Sequence, residues 1–264
     1  MTDNSNSKFP SEAEVVIVGV GGIVGSMLAY WLAELGDKKN IVGLEKSTII
    51  PSDIASTAHA SDFVYNTTHD KLGCWTTAYS RKFYEDNGFF LKKGGLEICR
   101  KDDEARWEEL KRKVSSGKAF GSNVKLISAA EAKEKFPLLE EDSMQGAMWD
   151  PDAGLVIPRS QDVVSFAVES AKEKGALKTF TDTPALDFEI ENGHIVGVKT
   201  DKGIIKTKKV VIASGIWGPL MGKKAGVSVP LMPLEHPLLF FGPLPEAQDA
   251  EDFLIYPLLR DQGN

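Results

Sequence analysis

The clearest pattern of apolar and polar positions lies in residues 14–46, where it predicts a strand, a turn, a helix and a second strand. Val15 to Val18 are apolar without alternation, which is typical of a parallel strand covered on both faces. Ile23 to about Leu35 carry apolar residues around most of a helical circumference, as in a helix packed on a sheet, and Gly36 is placed to end it. Ile41 to Leu44 form the second strand. This order predicts an α/β fold around a parallel sheet.

Three further segments have helical patterns. Residues 68–87 have apolar residues at helical spacing, which we expect to face the core: Leu72, Trp75, Tyr79 and Phe83. Residues 102–115 predict a charged, exposed helix, and residues 128–136 begin with Ser-Ala-Ala-Glu, the pattern of a capping box. Residues 160–174 have apolar positions in helical register and end before Gly175.

The strand signals lie between and after these helices. Residues 89–100 predict a hairpin that turns at Gly94 and Gly95. The turn-rich residues 148–158 mark the return of the chain to the first domain. After them come a strand at residues 177–180, a small antiparallel meander over residues 185–206, and a buried parallel strand at residues 209–213 that leads into a helix through residues 217–224.

The C-terminal part is rich in proline, and residues 227–241 predict strand segments interrupted by Pro230, Pro233 and Pro237. Phe253 to Leu259 form an apolar strand for which the remaining sequence offers no partner. An unpaired apolar edge promotes association. We therefore expect the chain to be a fragment, truncated at its C-terminus, or to need another polypeptide.

Composition narrows the class of protein. The 264 residues are enough for two packed domains, and 31 basic against 38 acidic residues give a scattered net charge of −7, which argues against a nucleic-acid surface. Cys74 and Cys99 form neither a redox pair nor a zinc site, so we expect no metal and a reducing cytoplasm. Residues 1–12 are polar and do not resemble a signal peptide, and no stretch approaches a membrane span. We expect the first 13 residues to form a disordered tail.

The turn after the first strand contains the glycines expected of a dinucleotide site: Gly19, Gly21, Gly22 and Gly25. Glycines let backbone N–H groups approach a pyrophosphate at a helix N-terminus. The sequence Gly-Val-Gly-Gly-Ile-Val-Gly is one residue longer than the usual fingerprint, so two registers compete, and the helix side favours the one ending at Gly25. Glu45 closes the second strand, where an acid accepts hydrogen bonds from the ribose hydroxyls and repels a 2′-phosphate.

Residues 46–66 lack apolar periodicity and predict a loop of small and hydroxyl-bearing residues. Ser56, Thr57 and His59 in this loop can reach a bound pyrophosphate or the edge of a flavin ring. A loop histidine is more often solvated than functional, so His59 gains weight only from its neighbours.

Together these motifs resemble the flavin amine oxidoreductases of the D-amino-acid oxidase superfamily, and in particular dimethylglycine oxidase, dimethylglycine dehydrogenase and sarcosine dehydrogenase. The likeness extends from about Glu14 to Leu259. Its specific signs, besides the glycine turn with Glu45, are AST-A-H-A at 55–60, GGLEI at 94–98, FPLL at 136–139, DAGLV at 152–156, VVIASGIWG at 210–218 and PLMPLEH at 230–236. The combination is far more specific than any single motif.

The resemblance implies bound FAD, joined covalently through the 8α position to His59 of Ser56-Thr57-Ala58-His59. It also implies cofactor contacts beyond the glycines, Glu45 and that stretch, namely Ile23 and Val24 at the pyrophosphate, Lys46 at the ribose, Ala185 at the adenine, Phe63 near the flavin, and Gly215. His236 matches a histidine beside the substrate, where a neutral imidazole favours the deprotonated amine. It is the candidate catalytic residue.

The expected architecture is a Rossmann-like FAD-binding domain (residues 14–88 and 150–226) with an interleaved, incomplete α+β substrate domain (residues 89–149 and 227–264). The expected function is oxidation of an N-methyl amino acid of the dimethylglycine or sarcosine type to an iminium. A folate-binding domain that captures the one-carbon product would lie outside this chain. Two alternatives stay open: a non-catalytic flavin-binding fragment or subunit, and an NAD-dependent dehydrogenase. The exact substrate and the electron acceptor stay open too.

Overall fold

A computed structural model describes residues 9–36, 39–65, 69–235, 237, 239 and 256–262. Three predicted features lie outside these described residues: the N-terminal tail up to residue 8, His236, and residues 253–255 of the strand predicted at 253–259. The chain divides into two compact units. The first contains the described residues of Met1–Ala60 and Arg159–Leu238, and the second those of Ser61–Pro158 and Leu239–Asn264.

The first unit is built on a four-stranded parallel sheet, as the apolar runs predicted. Its strands, in spatial order, are β13 (Val210–Ile212), β1 (Val15–Val18), β2 (Ile41–Leu44) and β9 (Leu177–Phe180). All three pairings are parallel. The central strands β1 and β2 are buried along their whole length, because both faces of the sheet are covered.

Each face of this sheet has its own apolar core. On one face, α1 (Ile23–Leu35) and α5 (Ser160–Glu173) pack against Val15 and Ile17. On the other, Val16 and Val18 contact the antiparallel meander and the last helix of the unit. These elements are β10 (Ala185–Glu191), β11 (His194–Thr200), β12 (Gly203–Lys206) and α6 (Gly218–Lys224). Successive residues of β1 therefore point alternately into two different cores.

The glycine turn between β1 and α1 is shaped by two close backbone approaches. Gly19 has a φ of +94°, a conformation that residues with a Cβ rarely adopt. A Cβ on Gly25 would overlap the carbonyl oxygen of Gly19, so the first turn of α1 can lie directly on the end of β1 only because both residues are glycine. A Cβ on Gly22 would meet nothing closer than 3.8 Å, so that position is open.

The described residues of the second unit form two sheets and three helices. The larger sheet has the order β14 (Leu258–Asp261), β5 (Gly95–Arg100), β7 (Met144–Asp150) and β6 (Lys125–Ser128). The smaller has the order β3 (Phe63–Val64), β8 (Gly154–Val156) and β4 (Phe90–Lys92). The helices are α2 (Lys71–Asp86), α3 (Glu104–Ala119) and α4 (Ala129–Lys135), and α4 begins with the predicted capping box of Ser128 and Glu131.

The boundaries between the units fall after Ala60 and after Pro158. The sequence placed the corresponding boundaries after residue 88 and before residue 150. Residues 61–88 cluster with the second unit because β3 and β4 both pair with β8. The assignment of one unit to the cofactor and the other to the substrate is a proposal, to which we return below.

Several local predictions were wrong. Residues 89–100 do not form a hairpin, because β4 pairs with β8 while β5 pairs with β7. Residues 227–235 form no strand. The C-terminal strand begins at Leu258 and does have a partner, since β14 pairs in parallel with β5, some 160 residues earlier. The expectation of an unpaired edge considered only later strands as partners.

The apolar stripe of α2 was also misplaced. We expected it in the core, but Leu72, Trp75 and Tyr79 are 68%, 60% and 50% exposed, and the rings of Trp75 and Tyr79 stack on each other. Cys74 is the buried residue of this helix. Helical spacing correctly predicted that one face of α2 is apolar, but it did not predict whether that face is buried.

Helix α3 contains buried charges that the sequence assigned to solvent. Arg106 forms an ion pair with Glu97 of β5, and Lys113 Nζ lies 2.6 Å from Glu97 Oε1. All three side chains are buried, and Glu97 is only 1% exposed. Burial, together with the charge of Arg106, lowers the pKa of Lys113 to about 8. One carboxylate thus joins two cations of α3 to the central strand of the sheet.

We expect Glu97→Gln to lower the free energy of unfolding by about 3–5 kcal/mol, because Arg106 and Lys113 lose their buried carboxylate and keep only the more exposed Glu109. Denaturant unfolding of the full chain measures this loss. The matched control is Glu108→Gln, which removes an exposed carboxylate paired with Lys111 on the same helix and should leave the unfolding midpoint almost unchanged. Equal midpoints for the two variants would show that the buried cluster does not hold α3.

Candidate functional site

A cavity of about 650 Å³ lies in the first unit, within the size range of small-molecule sites. Its walls come from the turn after β1, the residues that follow β2, the loop before the 3₁₀ turn at Ser56–His59, residues 183–186 and residues 212–218. These segments follow the carboxyl ends of parallel strands, which is where ligands bind in open α/β sheets. Its lining is mostly apolar, with a few polar groups.

The N-terminus of α1 faces this cavity. Its N-cap is Gly22, which has no side chain, and the Thr57 hydroxyl accepts a hydrogen bond from the first N–H group, that of Ile23. The first N–H groups of a helix lack intrahelical partners, and with the helix dipole they attract an anion. Gly22, Ile23 and Val24 line the cavity, and a Cβ on Gly22 would project into space that is open.

Glu45 connects the glycine turn to the loop after β2. Its Oε2 accepts a hydrogen bond from the Gly21 N–H at 2.9 Å, and its Oε1 accepts from the Ser47 N–H at 2.9 Å and from the Ser52 hydroxyl at 3.1 Å. The side chain lines the cavity but is only 5% exposed. A carboxylate has about four acceptor positions, so three are occupied by the protein and one is left for a ligand hydroxyl.

Gly21 is a glycine for the sake of this acid. A Cβ there would lie 2.6 Å from Glu45 Oε2. The four glycines therefore have three roles. Gly19 and Gly25 allow the strand and the helix to touch, Gly21 leaves space for the carboxylate, and Gly22 leaves the cavity open.

The stretch Ser56–His59 forms a 3₁₀ turn that is tied to the start of α1. The Thr57 hydroxyl oxygen accepts a hydrogen bond from the Ile23 N–H at 3.0 Å, and Ser56 and Thr57 line the cavity. His59 is exposed, and its Nε2 lies 3.1 Å from the carbonyl oxygen of Asp53. Arg159 at the start of α5 donates to the carbonyl oxygen of Ala60 at 3.1 Å, which holds the other end of the turn.

The turn after β13 forms another wall. Gly215 has a φ of +51° and begins a 3₁₀ turn that ends at Trp217. The Ser214 hydroxyl is buried and has no hydrogen-bond partner among the described residues. A buried polar atom without a partner is costly, and here it borders the cavity, so a polar ligand atom could satisfy it.

The predicted cofactor-binding residues fall into four groups. Most line the cavity: Gly19, Gly22, Ile23, Val24, Glu45, Lys46, Ser56, Thr57, Ala185 and Gly215. Gly21 and Gly25 lie in the turn behind its wall, and Ala58 and His59 lie in the 3₁₀ turn without lining it. Phe63 belongs to β3 of the second unit. His236 lies outside the described residues.

Several residues of the wall were not predicted as site residues, among them Ser214, Trp217 and Lys224. The first two belong to the Ser-Gly-Ile-Trp-Gly motif, and their position after a buried parallel strand was the available signal. Lys224 ends α6, and no local pattern marks it.

Other classes of site are not seen in the part of the chain that the structure describes. It contains no group of three or more histidine, cysteine, aspartate or glutamate residues placed to hold a metal ion. Its helices are all too short or too polar to cross a membrane.

Comparison with known proteins gives the class of ligand. A family model described as "FAD dependent oxidoreductase" matches residues 14–264. Human mitochondrial sarcosine dehydrogenase is 30% identical over 246 residues, which cover 86% of this chain and 25% of that protein. The mouse mitochondrial pyruvate dehydrogenase phosphatase regulatory subunit is 30% identical over 237 residues, with 86% and 26% covered. The chain thus spans about a quarter of the length of these relatives.

The fold is also similar to solved structures. The crystal structure of L-proline dehydrogenase from P. horikoshii superposes with a TM-score of 0.74 at 33% identity, over 83% of this chain and 57% of that one. The predicted α/β class is confirmed.

The residues of the cavity fit FAD. The N-terminus of α1 with its open Gly22 suits the pyrophosphate, and the remaining acceptor position of Glu45 suits a ribose hydroxyl. The Ser214 hydroxyl lacks a partner that a ligand can supply. The apolar remainder of the wall suits aromatic rings.

We expect Glu45→Gln to lower the free energy of unfolding by about 1–3 kcal/mol even without ligand, because the amide nitrogen turns a donor toward N–H and O–H donors. Urea unfolding of the flavin-free protein measures the change. Glu34→Gln, which alters an exposed acid of α1 paired with Lys174, is the control and should have little effect. A fully stable Glu45→Gln protein would mean that the acid does not hold the glycine turn.

Proposed function

The chain belongs to the DAO family of FAD-dependent oxidoreductases, and from that premise we propose that it binds FAD in the first unit and serves the oxidation of N-methyl amino acids of the sarcosine or dimethylglycine type. The observation that carries the proposal is the cavity at the carboxyl ends of β1, β2 and β13, where a helix N-terminus with a glycine N-cap lies beside a buried acid of the kind that binds ribose. Sarcosine is N-methylglycine, and the similarity to human sarcosine dehydrogenase supports this substrate class.

Each part of the cavity has a role in this proposal. The N–H groups at the start of α1 bind the pyrophosphate, Glu45 accepts from the ribose, and residues 183–186 border the adenine. When bound, FAD supplies the acceptor for the two electrons that leave the substrate. The protein's contribution is to place the cofactor and the amine and to exclude water.

His59 is the proposed point of covalent attachment. It has the position of the flavin-linked histidine in the Ser-Thr-x-His stretch, and its 3₁₀ turn is held to the pyrophosphate-binding helix by the Thr57 hydroxyl. The exposed imidazole is accessible to a flavin ring that extends out of the cavity.

The proposed reaction removes a hydride equivalent from the N-methyl carbon and leaves an iminium, which water converts to formaldehyde and the demethylated amine. The amine must be neutral to react. From the sequence, His236 is the candidate that accepts a hydrogen bond from the amine N–H and favours its neutral form. Placement of the substrate in the second unit is part of the same proposal.

A second function is a subunit that binds flavin without oxidising an amine. The similarity to the mouse regulatory subunit, at the same identity as sarcosine dehydrogenase, favours it. The two functions agree on the cavity and differ in whether a substrate reduces the flavin.

We expect the purified chain to show a flavin absorption spectrum, and acid precipitation should leave the flavin in the pellet. In His59→Ala the precipitated protein should release the flavin into the supernatant, whereas His194→Ala, a change at an exposed histidine of β11, should behave like the unsubstituted protein. Flavin in the supernatant of the unsubstituted protein would show that the cofactor is not bound covalently. A purified chain without any flavin would contradict the assignment of FAD as its cofactor.

We expect sarcosine or dimethylglycine to bleach the flavin band when added without oxygen, because the electrons from the N-methyl carbon remain on the cofactor. Glycine is the matched control, since it lacks the N-methyl carbon and should leave the band unchanged. A stably bound flavin that neither N-methyl compound bleaches would favour the non-catalytic subunit.

A further inference from the structure

Two side chains on opposite walls of the cavity contact each other. Lys46 Nζ lies 4.7 Å from the centroid of the Trp217 ring, and both residues line the cavity. Lys46 follows β2 and Trp217 follows β13, on either side of β1. Neighbouring strands are about 4.8 Å apart, so the contact spans roughly 10 Å over the glycine turn.

The contact lies on the solvent side of the cavity wall. Lys46 is exposed, whereas its neighbour Glu45 is buried at 5% exposure. Among the described residues no carboxylate pairs with Lys46, so the ring of Trp217 is the partner that the structure gives it. An ammonium group over an indole is the strongest common form of cation–π contact.

We propose that Lys46 and Trp217 form a clasp that retains the adenosine half of the cofactor in this cavity. The inference rests on the proposed function and gives a role to Trp217, which the glycine turn and its acid do not include. Lys46 directly follows Glu45, so the clasp lies next to the acid that is proposed to bind the ribose. The Ser214 hydroxyl, buried without a partner among the described residues, precedes the same turn and offers a polar contact beneath it.

The clasp acts by retention, because the adenosine half can leave only after the ammonium group and the ring separate. A cation–π contact at an exposed site slows such a step by about 2- to 5-fold. The effect belongs to the pair, so removing either member removes all of it.

The test measures FAD release from the full chain carrying His59→Ala, so that no covalent bond holds the flavin. After loading with excess FAD and dilution, the rise in free-flavin fluorescence gives the release rate. Lys46→Met and Trp217→Leu should each raise the rate by about 2- to 5-fold, and the double variant should release no faster than the faster single variant.

Two controls isolate the contact. Lys46→Arg keeps a cation over the ring and should release FAD at the parent rate. Lys135→Met removes a similar contact in the second unit, where Lys135 Nζ lies 4.4 Å from the centroid of the Trp149 ring, and should also leave the rate unchanged.

Release at the parent rate from Lys46→Met, an exposed change that spares the core, would overturn the clasp. So would rate increases that multiply in the double variant, because independent effects do not come from one contact. Either result leaves the proposed function standing, since flavin is bound in both. Failure of the unsubstituted protein to hold any flavin would instead overturn the proposed function itself.

Discussion

The first unit depends on the carboxylate of Glu45, which joins the glycine turn to the loop after β2. It accepts from Gly21 in the turn and from Ser47 and Ser52 in the loop, and the N–H of Ser52 donates to the Gly21 carbonyl oxygen at 3.0 Å. A buried, satisfied carboxylate is stable only while all its donors stay in place. This network fixes the start of α1 and the loop leading to Ser56–His59, so the anion site and the candidate attachment turn share one support.

The buried carboxylates of the two units have different roles. In the first, Glu45 is satisfied by uncharged donors and can still accept from a ligand, which suits a binding site. In the second, Glu97 is paired with Arg106 and Lys113, and its capacity is spent on joining α3 to the sheet. Buried ion pairs of this kind add little net stability compared with apolar packing, but breaking them is costly, so they favour one arrangement of helix on strand.

Sequence patterns predicted those features of the fold that interactions between nearby residues determine. The continuous apolar runs of β1 and β2, the end of α1 at Gly36 and the capping box of α4 all follow from nearby residues. The pairing of β14 with β5 joins segments far apart in sequence, which no local pattern records. Arg106 and Lys113 look like solvated helix residues until Glu97 is placed opposite them. The fingerprint located the cavity, whereas Trp217 joined it only through the strand order.

The three hydrogen bonds that Glu45 accepts from the protein limit how this scaffold could be re-engineered. Changing the preference of a nucleotide site toward a 2′-phosphorylated ribose usually begins by replacing the acid at the end of the second strand. Here that replacement would remove the acceptor of Gly21, Ser47 and Ser52 and loosen the turn that must bind the pyrophosphate. One side chain thus determines both the nucleotide selectivity and the structure of the loop. A designer would have to leave the acid in place and alter its exposed neighbour Lys46.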